Sequence, residues 1–480
     1  MHIYLNSLLT FGLEKKIIND FNRSLKNLEI LFQTKINYER AYIDIYETIS
    51  SLLDVSYQMN LFEIDTMMER DQFEALIFDQ IMPTPSETKS TFKSLFEQDK
   101  NQAFSYLYEL SKNTNYIKTK RLAENISFFY ESDYSPLEIT INLSKPEKDP
   151  KDIQKALEKP KEEKKGPKCV ICKENEHNYE NARMNLRLIP LELNRSLWHF
   201  QYSPYGYFNE HSIILSDEHK NMKISHKTSE NLLDFIDYMP AYFIGSNADL
   251  PIVGGSILNH DHYQAGRHHF PIENAKAIKT YGLINEVEIK HLNWPLSTIR
   301  LNSKNREKLS KVVDLILDQW QNYDNIALDI VSFTTANHNT ITPILRKKDD
   351  IYEFDIILRN NRTSETYPGG IFHPHADKWH IKKENIGLIE AIGLAVLPPR
   401  LKQSLELSML YLNEGIYDDS LDAHKDWLET LKEKYNHVSI KTLYDEVGAV
   451  FEGVLEDCGV FKLDIQGNAA MDKFINEIIS

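Results

Sequence analysis

The sequence predicts an α+β fold, and two changes of texture along the chain predict it. Residues 1 to about 130 carry apolar residues at three- and four-residue spacing, as in Leu25–Lys35 and Tyr38–Met59, with a further run at Phe73–Ile81. That is the period of amphipathic helices. From Cys169 the pattern shifts to short alternating stretches broken by turn residues, which is the texture of an antiparallel sheet with helices packed on it.

The elements follow in order. Pro83 and Pro85 close the third helical run, and Leu137–Leu143 alternates like a strand. The segment after it, KPEKDPKDIQKALEKPKEEKKGPK, is rich in Lys, Glu and Pro and reads as an exposed helix between connectors, with a boundary near residue 165. Asn185–Leu191, Ser196–Tyr202 and Glu210–Leu215 read as strands, Thr228–Met239 as a helix, and Gly254–Gln264 as a strand entered through glycine. Glu307–Gln321 is predicted helical, Ile326–Thr335 and Ile351–Arg359 as strands, and Lys383–Leu397 as a helix ended by Pro398. Acidic helices fill the tail from about Leu401.

The chain has 480 residues and a formal charge of −16. Its length suggests two to four domains. The acidic balance argues against a polymeric nucleic-acid partner, though a local site for a nucleotide can oppose it. No 18-residue apolar stretch is free of charge, and the N-terminus lacks the layout of a secretory signal. Three cysteines exclude a disulfide-rich scaffold and suit a reducing, cytoplasmic setting.

Two of those cysteines form CVIC, Cys169 and Cys172, a spacing that suits a redox pair or half a metal site. With His219 in SDEH and His260 they would complete a Cys2His2 zinc set. The strongest local signal is His260-Asp261-His262-Tyr263-Gln264. On a strand, the period of two puts His260, His262 and Gln264 on one face. With His260 at the metal, His262 is left to act. A neutral imidazole nitrogen can attack phosphorus if its other nitrogen is held by a carbonyl, for which the His260 C=O is a candidate. Gln264 can donate its amide to a phosphoryl oxygen. Ser256 and the Gly254–Gly255 backbone offer further donors, and Asn247 is either a ribose or phosphate ligand or a turn residue. The competing reading makes His260 and His262 surface histidines or two further ligands.

A second group is Phe372-His373-Pro374-His375, with His380 near it and His338 upstream. It fits another metal site, a sugar-phosphate site or a satisfied polar face, and Arg346, Lys347, Arg359 and Arg362 supply nearby positive charge. Tyr116–Arg121 (YIKTKR) is a small basic knot that could meet a phosphate or simply be solvated.

The stretches GGSILNHDHYQAGRHHFPI, FHPHADKWHIKKENIGLIEAIGLAVLPPRL and YSPLEITINLSKPEKDP resemble the bacterial class II galactose-1-phosphate uridylyltransferases, of the wider histidine-triad superfamily. The resemblance implies two histidine-triad-like antiparallel-sheet halves with packed helices plus a helical N-terminal region: residues 1–165 mainly helical, 166–300 catalytic, and 301–480 a sugar-phosphate half with a helical tail. It implies a ping-pong exchange of UMP in which glucose 1-phosphate and UDP-galactose are released from UDP-glucose and galactose 1-phosphate. His262 falls on the family's nucleophile and Gln264 on its glutamine. Cys169, Cys172, His219 and His260 match the zinc ligands of the class I enzymes. Ser256 resembles the class I serine with one extra residue before the histidines, and Asp261 stands where class I has proline. His338, His373 and His375 resemble part of a second class I metal site whose acidic ligand has no match here, which leaves a second metal open. His373 and His375 are then candidates for binding substrate. A homodimer is also implied, with the neighbouring subunit helping to bind sugar. Rival readings are a nucleotide hydrolase or phosphorylase of the same superfamily, and a zinc-stabilised binding protein.

Overall fold

The computed structural model describes residues 1–62, 65–144, 167–178, 182–255 and 257–479. The Lys-, Glu- and Pro-rich segment over 145–166, the boundary at 165 and Ser256 lie outside the described residues.

The N-terminal region is helical as predicted, with helices His2–Glu14, Phe21–Leu31, Ile45–Gln58, Met67–Asp79, Pro85–Gln98 and Lys100–Asn113. Leu5, Leu8, Leu28, Phe32, Leu52, Phe73 and Phe78 form its own core. Its helix starts are set by caps rather than by the apolar pattern. The helix expected from Tyr38 begins only at Ile45, because the Asp44 carboxylate accepts the backbone N–H groups of Tyr46 and Glu47. Thr66 with Glu69 and Thr84 with Glu87 form capping boxes. The YIKTKR knot docks here: Arg121 grips Asp71 at 2.9 and 2.6 Å, and Lys118 reaches Glu74 at 2.9 Å.

The strands are β1 Ile126–Tyr130, β2 Leu137–Ile141, β3 Ile189–Leu193, β4 Ser196–Tyr202, β5 Ser212–Ser216, β6 Phe243–Gly245, β7 His262–Gly266, β8 Ala277–Ile284, β9 Val287–Leu292, β10 Thr298–Ser303, β11 Asn339–Lys348, β12 Ile351–Asn360 and β13 Leu394–Leu397. Ten of them make one sheet in the order β3-β4-β5-β7-β6-β11-β12-β10-β9-β8; β1, β2 and β13 make a second. The large sheet is a duplication. Three strands run as a meander, a helix follows (His226–Tyr238 or Arg306–Gln321), and two more strands insert so that the last lies inside the fourth. The order 3-4-5-7-6 in the first half is repeated as 8-9-10-12-11 in the second. The halves join at β6 and β11, through Phe243↔Arg346, Ile244↔Leu345 and Gly245↔Ile344. By strand pairing the second half starts at β8, ahead of the residue-300 break expected from the sequence.

Three local expectations fail for identifiable reasons. Ile326–Thr335 holds a 3-10 turn and isolated bridges, while the strand is β11, disguised by Pro343. Pro343 sits just past the end of the β6 pairing, where its carbonyl accepts from Ser246 N–H at 3.0 Å. Lys383–Leu397 is one helical turn, Leu388–Ala391, then β13. Gly393 makes the break at φ +105°, and a Cβ there would meet Pro271 at 2.6 Å. Finally, the described residues from Gly254 to Asp261 lie in no strand, and β7 begins only at His262.

β12 occupies the place in its half that β7 has in the first, yet its sequence IYEFDIILRN has no histidine. Instead Asp355 is fully buried between two guanidinium groups, with Arg300 at 2.7 and 2.9 Å and Arg346 at 2.7 Å. Burial alone would raise the Asp355 carboxyl, but Arg300 and Arg346 hold it down at about 2. A depressed folded-state pKa stabilises the fold above the ordinary value of 3.8 and loses that effect as pH falls toward 2. Asp355→Asn is therefore expected to cost about 3–5 kcal/mol near neutral pH, because buried Arg300 loses its close carboxylate while Arg346 keeps only Glu353 at 2.7 Å. Denaturant titrations from pH 6 to 2 should show the gap to wild type narrowing below pH 4. A constant gap would refute the assignment.

Candidate active site and metal centre

The CVIC loop is folded by Asn175 in the 3-10 turn that follows it. Its amide donates to the Cys169 and Cys172 carbonyls at 2.9 and 3.0 Å. Both thiols thereby turn toward two histidines from distant loops. Cys169 Sγ lies 3.4 Å from Cys172 Sγ and 3.3 Å from His260 Nδ1, and Cys172 Sγ lies 3.1 Å from His219 Nδ1. All four donor atoms fall within 4.8 Å of one another. Metal bonds of about 2.0–2.3 Å give tetrahedron edges of about 3.3–3.8 Å, so the donor set fits one tetrahedral cation. His260 Nε2 donates to the Ser216 carbonyl at 2.9 Å, which leaves the Nδ1 lone pair facing the thiols. Lys173 and His199 both bind Asp217, at 2.5 and 2.7 Å, and tie the cysteine loop to the His219 loop.

His260 lies just outside the strand, not on a strand face with His262 as the two-residue period suggested. That placement gives it two uses. Its ring joins the Cys2His2 cluster, while its carbonyl accepts His262 Nδ1–H at 2.8 Å. His262 is only 5% exposed, and its Nε2 has no hydrogen-bond partner among the described residues. Burial lowers its pKa to about 4 against the raising effect of the His260 carbonyl, so the imidazole is neutral. A neutral ring with Nδ1–H held presents a lone pair on Nε2.

Two residues along β7, Gln264 Oε1 lies 3.1 Å from His211 Nε2. His211 went unnoticed in the sequence. Only the pairing of β5 with β7, as in Ser212↔Ala265, brings it beside Gln264, and no local motif announces that pairing. His211 also lines a cavity of about 300 Å³ with Ser203, Phe208, Tyr108 and Leu122. The helical N-terminal region thus walls one side of the space beside β7.

The remaining sequence candidates are held by protein partners. Asn247 Oδ1 accepts Leu388 N–H at 2.8 Å, and its Nδ2 lies where a Cβ on Gly255 would come within 2.5 Å. His373 Nε2 lies 3.1 Å from Asn385 Oδ1, and Asn385 donates to the Pro251 carbonyl at 2.6 Å. Asn361 Oδ1 accepts Ile252 N–H at 2.7 Å. Asn361 and Asn385 of the second half therefore clamp the loop that leads to His260. His375 points elsewhere, stacked on Tyr367 with its backbone N–H on Asp457 at 3.0 Å. The two histidines do not converge. Among the described residues, the Cys2His2 set is the one cluster of His, Cys, Asp and Glu that could hold a metal ion. Arg346 and Arg359 are buried, Arg359 donating to the Ile386 carbonyl at 3.0 Å.

The family model described as galactose-1-phosphate uridyl transferase, N-terminal domain, matches residues 22–221, and the C-terminal domain model matches residues 235–428. The chain belongs to the galactose-1-phosphate uridyl transferase family. The galactose-1-phosphate uridylyltransferase of Clostridium acetobutylicum is 47% identical over 98% of this chain and 99% of its own length. Those of Caldanaerobacter subterraneus and Halalkalibacterium halodurans are 45% and 42% identical over 98% and 99% of this chain, and 97% and 98% of their own. Among solved structures, yeast Ap4A phosphorylase Apa2 in complex with Ap4A aligns with TM-score 0.38 and 10% identity, over 75% of this chain and 97% of that one. The first model takes in the N-terminal helices and β1–β5 and ends between His219 and β7, so the boundary between the two models falls inside the first half of the large sheet. Among the described residues no helix is long and apolar enough to cross a membrane.

Proposed function

We propose that this uridyl transferase exchanges UMP between UDP-glucose and galactose 1-phosphate through a uridylyl intermediate on His262. The observation that carries the chemistry is the pinned imidazole: Nδ1–H is fixed on the His260 carbonyl and Nε2 is free. In the first half-reaction Nε2 forms a bond to the α-phosphorus of UDP-glucose, and the bond from that phosphorus to the glucose 1-phosphate oxygen breaks. The ring then carries positive charge, which the His260 carbonyl stabilises through Nδ1–H. In the second, a phosphate oxygen of galactose 1-phosphate displaces Nε2, and UDP-galactose leaves. The attacking phosphate oxygen is already anionic, so no general base is required. Gln264 donates its amide to the phosphoryl oxygens as charge shifts.

Zinc is the cation that two thiolates and two imidazoles suit best, and when bound it would act structurally, cross-linking the cysteine loop to the residue that holds His262. The net charge of −16 argues against a polymeric nucleic-acid partner, and a local site can still oppose it to take a nucleotide sugar. The three free cysteines support a cytoplasmic setting, and the family resemblance supports a homodimer.

Incubation with UDP-glucose labelled in uridine should leave acid-labile uridylate on the protein and release one equivalent of glucose 1-phosphate. Galactose 1-phosphate should then discharge the label as UDP-galactose. Absence of protein-bound label, or discharge by water or inorganic phosphate alone, would refute the reading.

A further inference from the structure

We infer that His211 is a positioning residue that fixes which end of the Gln264 amide faces the transferred phosphoryl group. The inference rests on the uridylyl-transfer reading and deepens it.

A glutamine amide rotates freely about its last bond and can present either oxygen or nitrogen. Only the NH2 end helps a phosphoryl oxygen; the carbonyl end repels it. The orientation of Gln264 is therefore a determinant of rate, and something must set it. His211 Nε2 stands 3.1 Å from Gln264 Oε1, the single side-chain contact recorded for that amide among the described residues. If the His211 Nε2–H donates, Oε1 is held and both amide hydrogens are turned away from His211. The opposite arrangement, with the amide donating to Nε2, would put the proton on Nδ1. His211 Nδ1 is buried with no partner. An orphaned lone pair is tolerated more readily than an orphaned N–H, so the first arrangement prevails.

The imidazole is built to stay put. It is 3% exposed, stacked on Tyr207 at 5.4 Å, with the Phe208 ring at 4.4 Å. Its backbone carbonyl accepts Ser203 N–H at 2.8 Å and its N–H donates to the Phe208 carbonyl at 3.2 Å. Gly266 permits this closure. A Cβ there would meet the Phe208 ring at 2.7 Å and the Glu210 carbonyl at 2.9 Å, so a side chain at 266 would push the 208–210 loop, and His211 with it, off the strand.

The test is single-turnover transfer of label from UDP-glucose to the wild type, His211→Phe, His211→Gln, His211→Asn, Gln264→Ala and the double variant His211→Phe/Gln264→Ala. His211→Phe keeps a flat ring but no donor, and should slow labelling about 10- to 100-fold, below the 10²–10³-fold cost of deleting an oxyanion donor outright. Half-saturation for UDP-glucose should stay within about threefold, since the lost contact acts on the transition state. Glutamine places an N–H at the reach of Nε2 and should restore most of the rate. Asparagine falls one bond short and should not. In the Gln264→Ala background the Phe substitution should add less than about twofold. An equal slowing by Phe in both backgrounds, or equal rates for the Gln and Asn variants, overturns the inference while His262 still takes label. A wild-type chain that takes no label overturns the uridylyl-transfer reading, and this role with it. The Gln/Asn comparison decides the matter even if the Phe variant proves unstable.

Discussion

His262→Ala should lower uridylyl exchange on the order of 10⁴-fold or more, the scale seen when a covalent nucleophile is removed. No other group among the described residues is placed to inherit the task. The neighbouring imidazole, His260, has its Nδ1 at the two thiols and its Nε2 on the Ser216 carbonyl. The ring of His211 faces Gln264. The counterpart strand β12 has no histidine. The fold should survive, because the substitution removes one hydrogen bond and leaves a cavity at one edge of the core rather than an unpaired charge. Exchange assays with galactose 1-phosphate, beside thermal melts and metal analysis, check both parts. Loss of activity together with loss of metal would mean that His262 is a ligand; retained activity would remove it from the mechanism.

Cys172→Ala should produce the reverse pattern, with bound metal lost first and activity falling as a consequence. Cys172 is buried, and its sulfur is within 3.1–3.6 Å of ring nitrogens on two separate segments. Three remaining donors bind a divalent cation far more weakly, and a structural site's binding energy is folding energy. The expected loss is roughly 4 kcal/mol or more of stability, the range of removing a structural metal. Activity should decline because the metal cluster holds the residue whose carbonyl fixes His262. Chelation of the wild-type chain should mimic the variant, and restoring zinc should rescue the wild type alone. Full activity in a metal-free variant would show that the cluster is dispensable to the catalytic strand.

The Cys2His2 cluster and the strand that carries His262 were legible because their residues stand at short spacings: two cysteines with two residues between them, and two histidines and a glutamine at alternate positions. What was hidden depends on partners far along the chain. The contact of His211 with Gln264 spans 53 residues. His375 draws its backbone partner Asp457 from 82 residues away, so a pair that reads as a ligand motif is divided between two unrelated contacts. Secondary structure failed where a single backbone device overruled composition: Pro343 inside β11, Gly393 between a helical turn and β13, and the Asp44 cap. The position of His260 is the instructive case. Its residue type pointed to the metal, but the assumed strand hid that its carbonyl would be the group that orients His262.

The repeated strand order has a consequence for how such a chain can diverge. In a symmetric pair of identical subunits, every substitution appears twice and must suit both places at once. Tandem copies within one polypeptide escape that constraint, so each can accumulate changes the other would not tolerate. Here one copy carries His262 on its last strand, and the other places on the corresponding strand Asp355, the centre of the Arg300–Asp355–Arg346 network. The second copy also supplies Asn361 and Asn385, which brace the first copy's chain at Pro251 and Ile252.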